Sequence, residues 1–139
     1  MDYKIEEIYG DGYERWAKIE LSKSKRKIWV HFVEYDEYLD SDNYLSKRKK
    51  GDILSGQIKI SLVDSYEDKD KDEQGFFQPI NKSSTIIAIG KVVESNGTDI
   101  VVCKIDGLSD NTIIEFEYDL VIEINTNIKV QGALEIELK

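Results

Sequence analysis

The side chains that most often carry catalysis are scarce in this chain. His31 is the only histidine and Cys103 the only cysteine, and each lies in an apolar run typical of a β-strand. A Ser-His-Asp or Cys-His arrangement would have to use His31, and no serine lies in a Gly-x-Ser-x-Gly elbow. We therefore interpret His31 as a hydrogen-bonded strand residue and Cys103 as a buried thiol. The sequence predicts no catalytic residue and a protein that is not an enzyme.

Metal and phosphate sites are not indicated either. One histidine and one cysteine cannot supply a structural zinc site. Asp68, Asp70 and Asp72 have the opening spacing of a calcium-binding EF-hand loop. However, Glu73 stands where that loop needs glycine, and Pro79 stands where it needs a carboxylate. Glycine-rich phosphate loops are absent, so the sequence predicts no metal and no cofactor.

Carboxylates are the most abundant reactive groups. The 139-residue chain has 28 Asp and Glu against 19 Lys and Arg, which gives a net charge of -9. Residues 1–50 are balanced, so residues 51–139 carry the whole excess. Such a field favours a basic partner and disfavours nucleic acid or an anionic membrane surface.

Two groups of acidic residues are the predicted partner-binding site. Both are expected at the surface, one on a strand and one in the acidic loop over residues 64–75. They are Glu115, Glu117, Asp119 and Glu123 on the strand, and Asp68, Asp70 and Asp72 in the loop. We expect a non-catalytic protein that binds a basic protein through this acidic β-surface. An immunity or antitoxin-like protein that neutralises a cationic toxin is one concrete form.

Two basic runs support an alternative function. Lys23–Lys27 and Lys47–Lys50 are short cationic segments with aromatic residues nearby. Proteins that bind single strands of nucleic acid combine a basic groove with stacking rings. If the two runs converge in space, Lys47, Arg48, Lys49, Lys50 and Tyr44 would contact single-stranded nucleic acid or another ligand.

The elements that must position these residues are strands. Apolar and polar residues alternate over residues 112–124 and again over 128–138, which predicts a hairpin turning at 125–127. Asn96-Gly97 predicts a type I′ turn between strands at 85–94 and 99–106. Residues 85–138 are therefore predicted to form an antiparallel meander, with a bulge or bend at Gly132.

The first half of the chain gives a less regular pattern. Strands are predicted at 13–21, where Arg15 falls on the apolar face, at 26–35 and at 51–63, where Gly56 marks a bend. Residues 36–50 are the one segment with any helical potential.

Together these patterns predict an all-β, single antiparallel domain over residues 1–139 with little helix. A small barrel is favoured over a sandwich. From Gly51 onward the pattern resembles the oligonucleotide/oligosaccharide-binding (OB) fold: a bent strand, a meander and a closing hairpin. It departs from that fold at residues 107–111, which are too few for the usual helix.

The lone cysteine, the lack of a signal-like N-terminus and the lack of a long apolar run predict a cytoplasmic protein that does not enter a membrane.

Overall fold

The computed structural model describes residues 1–34, 48–69 and 74–139, and this part of the chain is built from strands. Alternating apolar and polar residues favour strands because every second side chain points to the same face. The nine strands are β1 (Asp2–Asp11), β2 (Glu14–Glu20), β3 (Lys27–Val33), β4 (Ile53–Lys69), β5 (Gly75–Phe77), β6 (Thr85–Ser95), β7 (Ile100–Ile105), β8 (Ser109–Glu115) and β9 (Asn127–Leu138). The described residues contain no helix, so the all-β prediction is confirmed. Within the same residues no helix is long and apolar enough to cross a membrane.

All nine strands belong to one sheet, in the order β1-β2-β3-β9-β4-β8-β7-β6-β5. Most pairings are antiparallel, as the turn signals predict. The contacts of β3 with β9 and of β4 with β8 are parallel. Parallel contacts arise here because strands far apart in the chain meet through β4 and β9, which are the two longest strands.

Two additional pairings, β1 with β4 and β9 with β6, return the sheet onto itself. In the first circuit, β1, β2, β3, β9 and β4 pair in turn and β4 pairs again with β1. In the second circuit, β9, β6, β7, β8 and β4 pair in turn and β4 pairs again with β9. The ladder between β4 and β9 is common to both circuits.

The shared ladder is interrupted where β4 changes direction. The β4–β9 register shifts between Ser61 and Ser65, and Leu62 has a φ of 51°. Opposite this shift, a Cβ on Gly132 would lie 2.6 Å from the Ser61 carbonyl oxygen. The bulge predicted at Gly132 therefore lies on its partner strand, and Gly132 is the residue that leaves room for it.

The core lies between the inward faces of the strands. Alternate residues of β9 are buried, namely Ile128, Val130, Leu134 and Ile136. They pack in one cluster with residues of both circuits, such as Ile19 and Val30 in the first and Val92 and Ile114 in the second. Burial of this kind is the main term that stabilises the fold.

The meander predicted over residues 85–138 is only partly correct. Strands β6 and β7 form the expected hairpin, but Gly97 has a positive φ and Asn96 does not, so the turn is not type I′. Strand β8 ends at Glu115 and pairs with β7 and β4, whereas β9 pairs with β3, β4 and β6. The predicted hairpin of residues 112–124 with 128–138 is therefore wrong.

The acidic loop predicted over residues 64–75 is also different in the structure. Strand β4 continues to Lys69, because residues 65–69 pair with residues 131–127 of β9. Asp68 is thus a strand residue. Asp70 and Asp72 lie outside the described residues, as does most of the insert predicted at 36–50.

Candidate binding surfaces

The segment over residues 116–126 carries three of the four acidic residues that were predicted on one strand, Glu117, Asp119 and Glu123. It leaves β8 and crosses the end of the second circuit, where Phe116 N–H donates to the Asp99 carbonyl at 2.8 Å and Leu120 N–H to that of Thr98 at 3.2 Å. Phe116 and Ile122 are buried and anchor the segment. These contacts fix the segment on the β6–β7 turn without making it a strand.

The outward side of this segment mixes carboxylates with large apolar side chains. Glu117, Asp119 and Glu123 are exposed. Beside them Tyr118 is 60% exposed, Val121 86% and Ile124 57%. We call these six residues, with Asp99 of the adjoining turn and Ile100 at the start of β7, the acidic–apolar patch. No lysine or arginine occurs between residues 105 and 128.

Asp68 lies next to this patch. Tyr66 donates its hydroxyl to Asp68 Oδ1 at 3.1 Å, and its ring contacts Phe116 edge-on at 5.6 Å between centroids. The Phe116 ring in turn lies 6.5 Å from that of Tyr118. Burial, and then the hydrogen bond to Asp68, raise the pKa of Tyr66. Residues 68 and 116–119, distant in sequence, are thus brought to one end of the molecule.

Glu115 is separated from the other predicted acidic residues. Lys59 Nζ on β4 donates to Glu115 Oε1 at 2.9 Å, and this hydrogen bond raises the pKa of Lys59. The charge of Glu115 is therefore compensated within the sheet.

Parts of the two basic runs converge on one face. Lys27 and Lys50 both line a concavity of about 650 Å³, together with Lys4, Lys18, Glu6 and Glu7. A second concavity of about 320 Å³ adjoins it through Lys18 and Lys27, and Arg26, Trp29, Phe77 and Ile80 are among its lining residues. We call the two together the cationic groove.

The other members of the runs are placed elsewhere. Lys23 forms an ion pair with Asp110 at 2.9 Å, which lowers the pKa of Asp110. Arg48 donates to Glu34 at 2.7 Å. The Lys49 backbone N–H bonds to Asp52, while Lys47 and Tyr44 lie outside the described residues.

Ion pairs hold the centre of the groove. Lys27 donates to Glu6 and also pairs with Glu20, and the hydrogen bond that Lys27 donates to Glu6 is the main cause of the raised pKa of Lys27. Lys18 lies 3.4 Å from Glu7.

At the end of the cationic groove near β5, the Arg26 guanidinium lies 3.8 Å from the centre of the Phe76 ring and donates to the Phe76 carbonyl at 3.1 Å. Phe77, the next residue, is 52% exposed. Arg26 and the exposed Phe77 thus line the same concavity.

Rings cluster on the outer face of β1, β2 and β3. Tyr9 stacks on Trp16 at 5.1 Å and contacts Trp29 at 5.8 Å, and Trp16 lies 5.3 Å from His31. His31 Nε2 pairs with Glu14. His31 is thus a partnered strand residue, as predicted.

Cys103 is fully buried on β7, and burial raises the pKa of its thiol to about 12. Among the described residues, no group of three or more His, Cys, Asp or Glu side chains could hold a metal ion.

Sequence patterns did not reveal three residues of the groove. Lys4, Lys18 and Phe77 lie outside both basic runs, and they reach the groove through the pairing of β1 with β2 and of β5 with β6. The sequence pattern that could have identified the lysines is weak, because it consists only of single lysines among the apolar residues of β1 and β2.

These surfaces belong to an all-β protein built on one large sheet. In comparisons with known proteins, no family model, no curated protein and no solved structure matches the chain.

Proposed function

We propose that the chain is a non-catalytic binding protein that engages a basic protein through the acidic–apolar patch. The observation that carries this proposal is the exposure of Tyr118, Val121 and Ile124 among carboxylates. Contiguous exposed apolar side chains on a folded protein mark interaction surfaces. The surrounding carboxylates speed encounter with a cationic partner and reject acidic ones.

An immunity or antitoxin-like role is the concrete form of this proposal. The partner would be a cationic toxin of the nuclease type, occluded by the patch in the cytoplasm. The net charge of -9 supports such a pairing. The buried lone thiol suits a reducing compartment.

Affinity capture from source-cell lysate tests the proposal. The unaltered protein should capture one stoichiometric basic protein, and the triple variant Glu117→Lys, Asp119→Lys and Glu123→Lys should lose at least about 2 kcal/mol of its binding free energy. A matched variant, Asp11→Lys, Asp106→Lys and Glu137→Lys, makes the same change in net charge at other exposed acids and should still bind. Equal capture by both variants, or no basic protein at all, would refute the proposal.

We propose also that the first circuit is a small barrel of the OB-like kind. Five strands that pair in turn, with the last returning to the first, support this architecture. The OB-like part would then be β1–β4 with β9, rather than the stretch from Gly51 onward.

A second candidate function is the binding of an anionic ligand in the cationic groove. The convergence of Lys27 with Lys50 favours it, because these residues come from the two separate basic runs. The groove lies on the outer side of β1, β2 and β3, whereas the acidic–apolar patch lies at the end of the second circuit.

A further inference from the structure

The cationic groove has a surplus of positive charge in an acidic protein. Its lining includes five cations, Lys4, Lys18, Arg26, Lys27 and Lys50, against two acids, Glu6 and Glu7. Lys18 and Lys27 are held by their ion pairs. Arg26 is held against the Phe76 ring and carbonyl. Among the described residues, Lys4 and Lys50 have no ion-pair partner, so their charges are available to a ligand.

The groove also changes character along its length. The end near Lys4 and Lys50 is cationic. The end near Arg26 presents Phe77 and Ile80, which are 52% and 54% exposed. A ligand that fills both ends must combine negative charge with flat apolar surface.

The aromatic end is rigidly placed. Gln78 accepts from the Trp29 N–H and donates to the Trp29 carbonyl, both at 2.8 Å, so the chain after β5 is tied to β3. Arg26 bonds to the residue before Phe77. The backbone that carries the exposed ring is therefore fixed before any ligand arrives, which reduces the entropy lost on binding.

We infer that the cationic groove binds single-stranded nucleic acid, with phosphates at Lys4 and Lys50 and a base stacked on Phe77. This inference rests on the second candidate function and names its ligand class. A single strand is favoured over a duplex because a base must leave its stack to reach a ring. The phosphates provide salt-dependent affinity and the ring provides a contact that every base can make.

The decisive probes are two fluorescent strands of about 12 nucleotides, one of oligo-dT and one abasic with the same number of phosphates. Fluorescence anisotropy on the unaltered protein should give an affinity about tenfold higher for oligo-dT than for the abasic strand. This comparison needs no variant, so it is decisive even if a substitution prevents folding.

Two variants assign the roles. Lys4→Glu with Lys50→Glu should weaken both strands at least tenfold. It should also reduce the slope of log affinity against log salt by about 1.4, because each lost phosphate contact contributes roughly 0.7. Phe77→Ala should remove the preference for oligo-dT over the abasic strand. Lys104→Glu with Lys139→Glu, at two exposed lysines outside the groove, makes the same change in net charge as the double variant and should change neither.

The outcomes separate the inference from the function on which it rests. If both strands and heparin bind equally, the groove binds anions but the assignment to nucleic acid is wrong. If polyglutamate binds more tightly than oligo-dT, the ligand is an acidic protein and the assignment is again wrong. If no polyanion binds, both the inference and the second candidate function fail.

Discussion

The most consequential single charges are a buried pair at the end of the first circuit. Arg15 points inward from β2, as its position on the apolar face of the sequence pattern indicates. Its Nε lies 3.4 Å from Glu34 Oε1, while Arg48 reaches the other oxygen at 2.7 Å. Arg15 and Glu34 are 8% and 6% exposed. A buried cation is tolerated only when its partner remains.

Replacing Glu34 with glutamine should therefore destabilise the protein severely. We expect the free energy of unfolding to fall by about 3–5 kcal/mol, because the substitution removes a buried carboxylate that pairs with both Arg15 and Arg48. Urea denaturation measures this loss. Glu7→Gln, which breaks an exposed pair with Lys18, is the control and should cost about 0–1 kcal/mol. Equal effects of the two substitutions would show that the inner pair is not important.

At the scale of elements, alternation predicted burial better than pairing. Along β9 every second residue from Ile128 to Ile136 is buried, as its pattern predicts. Over residues 116–124 the period of two fails, since Phe116 and Ile122 are buried while Tyr118 and Ile124, predicted on the same face, are exposed. This segment is not a strand, and it bonds to the β6–β7 turn. A period of two reports which side chains face the core, but it does not identify the hydrogen-bond partner of the backbone.

The prediction of an acidic loop over residues 64–75 was wrong because composition was taken as evidence against a strand. The second half of β4 is rich in charge, with Asp64, Glu67 and Asp68 exposed, and this composition is typical of a loop. The pairing of residues 65–69 with β9 makes it a strand at the surface. The sequence also predicts only part of the cationic groove. Lys27 and Lys50 belong to the two basic runs, whereas the pairing of the strands brings Lys4 and Phe77 to the groove.

An engineered disulfide can test the pairing of β1 with β4, which closes the first circuit. Asp2 is the ladder partner of Ser55, and Ser55 Oγ donates to Asp2 Oδ1 at 2.5 Å. Paired Cα atoms in antiparallel ladders lie about 4.5–5.5 Å apart, within the range of a disulfide. The double variant Asp2→Cys and Ser55→Cys should form a disulfide with an added oxidant and gain about 2–4 kcal/mol of stability.

Mass spectrometry and denaturation with and without reductant would measure both effects. Cys103 should not compete, because its buried thiol has a pKa of about 12 and is not ionised at neutral pH. The single variant Ser55→Cys is the control. Failure of the pair to oxidise would contradict the β1–β4 contact and the barrel proposed from it.

At the scale of the whole molecule, β4 and β9 belong to both circuits, so neither circuit has a complete sheet without the other. We predict one cooperative unfolding transition over residues 1–139. Tryptophan fluorescence reports only the first circuit, because both tryptophans, Trp16 on β2 and Trp29 on β3, lie there. Far-UV circular dichroism reports every strand. The two signals should therefore give the same denaturation midpoint.

Separate midpoints would mean that the two circuits unfold independently and that the chain is not one domain. The variant Glu34→Gln sharpens the comparison, since its damage is confined to the first circuit. In a cooperative molecule both signals move together to lower denaturant.

The reciprocal bonds between the Gln78 amide and Trp29 bear on how the protein behaves at high concentration. One side chain supplies the donor and the acceptor that a neighbouring backbone would offer to β3 at this point. An open strand edge is a template on which a second chain can add and polymerise. At Trp29 the backbone donor and acceptor are already occupied by the Gln78 amide, so the backbone of a second chain cannot add to β3 at this point.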